Sequence, residues 1–185
     1  MAKSKIGLVR DIIENTAAYE DNLVPDEHEH IVDDLPADLR EQLKTHPKLS
    51  ENYAGTLLSI SKNQATVTLK PTHDMTVDDF GLIHNGFIFG AAEYAAIAAI
   101  NEENLVIIGS RTKFFAPVKL GDTIIFEAKG RYEEARKREV TVIGIINEVK
   151  VFEGVFQAVL LKQHILEAKI EDLQANLSAN KELAS

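Results

Sequence analysis

The sequence predicts an α+β fold in which an antiparallel sheet wraps around one long central helix, with helical extensions at both ends of the chain. Three observations predict it. The stretch His84 to Ile100, HNGFIFGAAEYAAIAAI, is apolar on every side except for one carboxylate, Glu93, and a helix without a polar face must be enclosed. At 1.5 Å per residue it is about 25 Å long, just short of a membrane span, so we read a soluble helix wrapped by sheet. The segments after it, LVIIGSRTKFFAPV, DTIIFEAKGRY, REVTVIGIINEVK and VFEGVFQAVLLKQHIL, carry the β-branched and aromatic runs of strands. Finally, 185 residues with 45% hydrophobic content suit one domain with an appendage.

In chain order, Ile6, Leu8, Val9, Ile12 and Ile13 lie at mixed helical spacing and predict a short amphipathic helix. EDNLVPDEHEHIVDDLP follows, acidic and broken by Pro25 and Pro36, which suits an extended connector. Its His28, Glu29, His30, Asp33 and Asp34 match none of the common zinc spacings, so no metal site is assigned. Residues 37–46 read as a short helix ended by Pro47. AGTLLSIS and QATVTLKP alternate around SKN as a two-strand hairpin. A polar loop, THDMTVDDFGLI, then delivers the central helix. Beyond it we expect strands from Leu105 to about Phe115, Thr123 to Tyr132, Val140 to Val149, and 151 to 164, the last joined by a tight return near Lys150 into an antiparallel meander. The tail from residue 166 places apolar residues at 166, 170, 173 and 177, a helical docking stripe or an exposed, fraying end. This gives an extension at 1–50, a sheet-and-helix domain at 51–165 and a terminal helix at 166–185.

Charge and composition exclude several classes. A net charge of −9 argues against nucleic acid or anionic membrane as a partner, since either needs clustered Lys and Arg. With no cysteine there is no disulfide framework and no thiolate nucleophile. MAKSKIGLVRDIIENTAAYE lacks the apolar core of a signal peptide, so the expected compartment is the cytoplasm.

Two motifs carry a resemblance. Gly81-Leu82-Ile83-His84-Asn85-Gly86 runs into the helix with Glu93 nine residues after the His, and Phe115-Ala116-Pro117-Val118 is followed by Gly121-Asp122. Over residues 50 to 165 this order resembles the hot-dog fold of acyl-CoA thioesterases and related acyl-binding proteins. More narrowly, it is similar to flagella-linked, virulence-associated hot-dog proteins of epsilon-proteobacteria. The resemblance implies dimers with sites at the subunit interface, and an acyl thioester as ligand or substrate with no further cofactor. It also places Asp78 and Asp79 in the region where relatives carry an Asn or Asp that positions water. Where many relatives have His-Gly-Gly, this chain has His84-Asn85-Gly86, a departure that bears on hydrolysis more than on binding.

The residues themselves allow the same chemistry. A carboxylate in an apolar helix loses solvation, so burial should raise the pKa of Glu93. It would then act as general base for water or as nucleophile on a thioester carbonyl, unless it is a structural carboxylate held by loop amides or by Tyr94 or His84 of a neighbouring subunit. The N–H groups of Asn85, Gly86 and Phe87 at the helix start would suit a developing oxyanion. His84 would polarise the substrate or simply cap the helix. Gly86, Gly90 and Glu93 share one helix face, so the glycines either admit a thin acyl chain or allow close packing on the sheet. Phe87, with Ile88, Phe89 and Ile97, would line the acyl portion. Arg111, Lys113, Lys119 and Arg131, with Arg136, Lys137 and Arg138, are the candidate cations for CoA phosphates. Gly86 and Glu93 are separated by about 10 Å along the axis. One carbonyl cannot touch both within a chain, which predicts a two-fold homodimer or a larger assembly built from it.

The functional expectation is an acyl-CoA-binding hot-dog homodimer that hydrolyses, or descends from proteins that hydrolyse, the thioester by a carboxylate mechanism. The alternative is a non-catalytic acyl-CoA sensor or interaction module linked to virulence or motility. Hydratase chemistry ranks below both, because the Asp and His dyad of that branch is not evident. A transcription factor ranks lower still for want of a basic recognition helix.

Overall fold

The computed structural model describes residues 38–132 and 136–167. The expected helix before residue 20, the acidic connector with its His28 to Asp34 cluster, and the C-terminal helix lie outside the described residues. The described chain begins with a single turn, α1 (Asp38–Glu41), and a second one, α2 (Glu51–Ala54). The hairpin β1 (Thr56–Ser61) and β2 (Gln64–Leu69) follows, and a 3-10 turn at His73–Met75 leads into α3 (Asn85–Ile100). Then come β3 (Leu105–Phe114), β4 (Ile124–Tyr132), β5 (Lys137–Ile146) and β6 (Val149–Leu160). The six strands form one antiparallel sheet in the order β1-β2-β4-β5-β6-β3.

Alternation decides which side of each strand meets the helix. Ala65, Val67 and Leu69 of β2, Ile124, Phe126 and Ala128 of β4, Val140, Val142 and Ile146 of β5, and Phe152, Phe156 and Ala158 of β6 are buried. Against them α3 presents Ala91, Ala92, Ala95, Ala96, Ala98 and Ala99, also buried. Small side chains on the helix leave depth for large ones on the sheet. Gly144 and Gly154 extend the same rule into the sheet, since a Cβ at either would come within 2.9 Å or less of the rings of Phe126 and Phe156 respectively. Burying one such phenylalanine contributes roughly 1.5–3 kcal/mol.

Three expectations are corrected. The return after β5 is at Asn147-Glu148, both with positive φ (43° and 67°), not near Lys150, because asparagine tolerates the left-handed conformation that a two-residue hairpin loop requires. This moves β5 to Lys137–Ile146 and starts β6 at Val149. The helix expected at 37–46 is only the turn Asp38–Glu41 within the described residues. The meander comprises β4, β5 and β6 alone. The first strand after the helix, β3, crosses to the far edge and pairs with β6.

The segment between α1 and β1 has a specific course. Lys44 donates its N–H to Asn101 Oδ1 at 2.8 Å, and Asn101 Nδ2 donates to the Gln42 carbonyl at 2.9 Å. Asn101 is the left-handed C-cap of α3. At the other end Tyr53 stacks on Phe87, ring centroids 6.1 Å apart, in the first turn of the same helix. Residues 42–54 therefore run the length of α3 in the opposite direction, across a face the sheet does not cover. Gly55 turns this strap into β1 at φ 82°, where any Cβ would lie 2.3 Å from the Thr68 carbonyl oxygen, so only glycine fits.

Candidate functional site

The opening of α3 is built by its own loop. The Asp78 carboxylate accepts N–H bonds from Phe80 at 3.0 Å and Leu82 at 3.1 Å, and Val77 N–H donates to the Leu82 carbonyl at 2.8 Å. Ile83 N–H donates to the Val118 carbonyl and His84 N–H to the Met75 carbonyl. These bonds fix the loop while leaving Phe80 94% exposed. Asp78 thus holds the turn that presents the helix, and Asp79 is exposed beside it.

His84 is the N-cap, with extended backbone, and its Nδ1 accepts the Gly86 N–H at 2.9 Å. A neutral imidazole accepting at Nδ1 carries its proton on Nε2. Phe87 N–H donates to the His84 carbonyl at 3.1 Å. Of the three amides expected to serve an oxyanion, two therefore have partners. The third, the Asn85 N–H, has no protein acceptor among the described residues. Gly86 serves the cap sterically as well, because a Cβ there would lie 2.7 Å from His84 Nδ1.

Between strap and helix lies a cleft of about 310 Å³, lined by Gly86, Phe87, Gly90, Glu93, Tyr94 and Ile97 of α3 and by His46, Leu49, Tyr53 and Ala54 of the strap. Positions 86, 90, 93 and 97 recur at helical spacing, so the cleft is one stripe of α3. Glu93 is half-buried there, and burial pushes its carboxyl above the usual carboxylate range. At Gly90 a Cβ would meet nothing within 4 Å. Close packing against the sheet is thus not what this glycine serves, and the packing alternative is corrected. It leaves a notch in the helix surface open to the cleft.

The structure brings together Glu93, Gly86, Gly90 and Phe87, with Tyr94 and Ile97. Ile88 is buried, and Phe89 packs on Phe156 with centroids 5.6 Å apart, so neither lines the cleft. The candidate cations are dispersed. Arg111 and Lys113 are exposed on the edge strand β3, and Lys113 faces Glu153 across the ladder. Lys119 bridges to Leu82 beside the helix opening, its N–H held by Asp122 Oδ2 at 2.8 Å. Arg131 lines a separate open groove of about 510 Å³ with Lys62, Asn63 and Lys129 at the β1–β2 hairpin end.

The sequence reading missed the strap's contribution. His46 brings an imidazole to the cleft, its Nδ1 2.6 Å from Thr45 Oγ1, and burial holds it below the usual histidine value, hence mainly neutral near pH 7. Its backbone is left-handed, with φ 50°, just before Pro47. The available signal was the dense mixture of His46, Pro47, Leu49 and Tyr53 directly before the first strand. No described helix is long and apolar enough to cross a membrane.

The description of the thioesterase superfamily matches residues 80–143, which run from the loop before α3 into β5. Among solved structures, Cj0977, a sigma28-regulated virulence protein from Campylobacter jejuni, is 47% identical with a TM-score of 0.67, covering 69% of this chain and 98% of that one. PH1136 from Pyrococcus horikoshii is 35% identical with a TM-score of 0.66, covering 72% and 99%. The smu.793 protein of Streptococcus mutans, solved bound to acetyl CoA, shares the fold at 18% identity and a TM-score of 0.52, covering 59% and 90%. Curated relatives include methylthioribose-1-phosphate isomerase of Aquifex aeolicus, 40% identical over 64% of this chain, and the transcription factor FapR of Caldanaerobacter subterraneus, 24% identical over 68%. The chain spans only 26% of that isomerase's length and 64% of that FapR's. With nearly the whole of Cj0977 and PH1136 matched at this identity and on this architecture, the chain belongs to the hot-dog thioesterase superfamily.

Proposed function

We propose that the protein binds an acyl thioester, with acyl-CoA the leading candidate, in the Glu93 cleft, and that Glu93 promotes its hydrolysis. The observation that carries this reading is a half-buried carboxyl of raised pKa in an apolar cleft beside an open helix notch. In its ionised form Glu93 takes a proton from water as the water oxygen bonds to the thioester carbonyl carbon. The tetrahedral oxyanion collapses, the C–S bond breaks, and the thiolate leaves to be protonated by solvent or by the carboxylic acid just formed. Direct attack by Glu93 through an acyl anhydride is the other route open to the same group. The acetyl CoA held by smu.793 on the same fold supports the choice of ligand.

Gly86 and Glu93, seven residues apart on one helix, are too distant to serve one carbonyl, so the oxyanion site facing a given Glu93 comes from a second copy. A homodimer follows, with His84, Asn85 and Gly86 of one protomer facing Glu93 of its partner. The ten-residue edge strand β3, which exposes Ile108 and Phe114 and is followed by exposed Phe115, supports a two-fold pairing of this kind. The dispersed cations are consistent with it: Lys119 near the helix opening and Arg111 and Lys113 on β3 do not line the cleft of their own protomer and would reach CoA phosphates from the partner.

One observation favours the second reading, a non-catalytic acyl-CoA sensor. His84 already occupies the Gly86 N–H, which removes a donor from the oxyanion site, and a named relative is a transcription factor rather than a hydrolase. Thiol release from a panel of acyl-CoAs, with and without Glu93→Gln, separates the two. Hydrolysis predicts turnover that falls by about 10²–10⁴-fold in the variant while ligand affinity persists. Binding without turnover by the wild type selects the sensor, and no binding at all overturns both.

A further inference from the structure

We infer that the strap formed by residues 42–54 measures the acyl chain: Leu49 and Tyr53, facing the Gly90 notch, limit the ligand to an unbranched acyl group of short or medium length. This rests on the acyl-thioester reading and names the specificity-determining residues of that site. The strap is fastened at its two ends and open between them. At one end the Asn101 side chain grips both Gln42 and Lys44, and at the other Tyr53 stacks on Phe87 and Ala54 is buried. Leu49 between the pins and Tyr53 at the second one line the cleft yet remain 37% and 52% exposed. The exposed part of their apolar surface has no cover among the described residues, and an alkyl chain would supply it.

Shape narrows the occupant. Gly90 opens a strip of bare helix backbone toward the strap, with free space where a side chain would stand. Phe87, Tyr53 and Ile97 border the cleft, and Glu93, Tyr94 and His46 also line it. A thin flexible chain fits such a strip, and a branched or ring-bearing acyl group does not. At about 310 Å³ the cleft is at the bottom of the usual range for small-molecule sites, roughly 300–1,000 Å³, enough for an acyl group with the CoA left outside. From Glu93 to the Tyr53–Phe87 latch at the helix start is about 9 Å along the axis. The Tyr53–Phe87 stack borders that end of the stripe, where a longer chain would meet it.

The test uses the full chain and isothermal titration of non-hydrolysable thioether analogues of acetyl-, octanoyl- and palmitoyl-CoA. The wild type should prefer octanoyl over palmitoyl. Tyr53→Ala, which removes the latch, should raise palmitoyl affinity relative to octanoyl by at least about tenfold, ~1.4 kcal/mol. Gly90→Leu, which fills the notch with a good helix former, should lower octanoyl relative to acetyl by a similar factor. Both variants are checked for a cooperative unfolding transition, and Leu49→Ala replaces Tyr53→Ala if the latter lacks one. Unchanged chain-length ranking in folded variants overturns the strap proposal and leaves acyl-CoA binding standing. Absence of binding by the wild type to every analogue overturns both.

Discussion

The two faces of α3 use small residues for opposite ends. On the sheet side, alanines at 91, 92, 95, 96, 98 and 99 are buried in the same core as the aromatic side chains of the sheet. On the strap side, Gly86, Gly90, Glu93 and Ile97 border open space, and Gly90 would accept a side chain without collision. The difference teaches that smallness on one face is set by packing density and on the other by an unfilled volume. A single helix can therefore be rigid toward its core and receptive toward its cleft.

The comparison breaks most visibly on the sheet side. Phe152 is fully buried, with its ring 5.3 Å from that of Phe114 and 5.9 Å from that of Phe126, and Gly144 and Gly154 are shaped around it. Phe152→Ala should cost about 3–5 kcal/mol, a large share of the stability of an ordinary domain, read as a fall in the urea midpoint with the slope retained. Overpacking the same side is milder. Ala95→Leu forces a larger group between α3 and the sheet and should cost about 1–3 kcal/mol. A smaller loss at either position would mean that the core is not packed as described.

The matching substitution on the strap side should have the opposite sign. Gly90→Ala relieves the conformational cost of glycine in a helix interior and meets no neighbour, so it should stabilise by about 1 kcal/mol, a rise of about 2–4 °C in Tm for a chain of this size. Destabilisation would show that the notch is filled in solution by something the free chain supplies.

How far the sequence disclosed this arrangement follows from the range of each interaction. The central helix was legible because an apolar run with one carboxylate admits only a wrapped helix, and Glu93 stood out for the same reason. The β1–β2 hairpin was legible from Ser61-Lys62-Asn63, a local turn signal. The return at Asn147-Glu148 was misplaced because glutamate at positive φ is a choice of the hairpin and not of the residue. The strap was illegible for a deeper reason. Its fastening depends on Gln42 and Lys44 meeting Asn101, which are 59 and 57 residues away, and nothing in the period of residues 42–54 encodes that contact. Gly90 could be read from sequence as packing or as access. Only the empty space around it decides between them.

The smallest effect tests the charge on the strap face. Burial raises the Glu93 carboxyl above its ordinary value, so between that value and the raised one the folded chain holds a proton that the unfolded chain has released. Stability therefore falls as pH rises through this window and stays lower above it. Glu93→Gln removes the titration. The variant should be more stable than the wild type near neutral pH and lose that advantage below the ordinary carboxylate range, where both side chains are uncharged. Because the carboxyl is only half-buried, solvent screening keeps the gain below about 1 kcal/mol. Paired thermal melts from mildly acidic to neutral pH read the sign directly. An advantage that grows toward acid would mean that donors in the cleft stabilise the carboxylate, and Glu93 would then be a held structural anion rather than a base poised to take a proton from water.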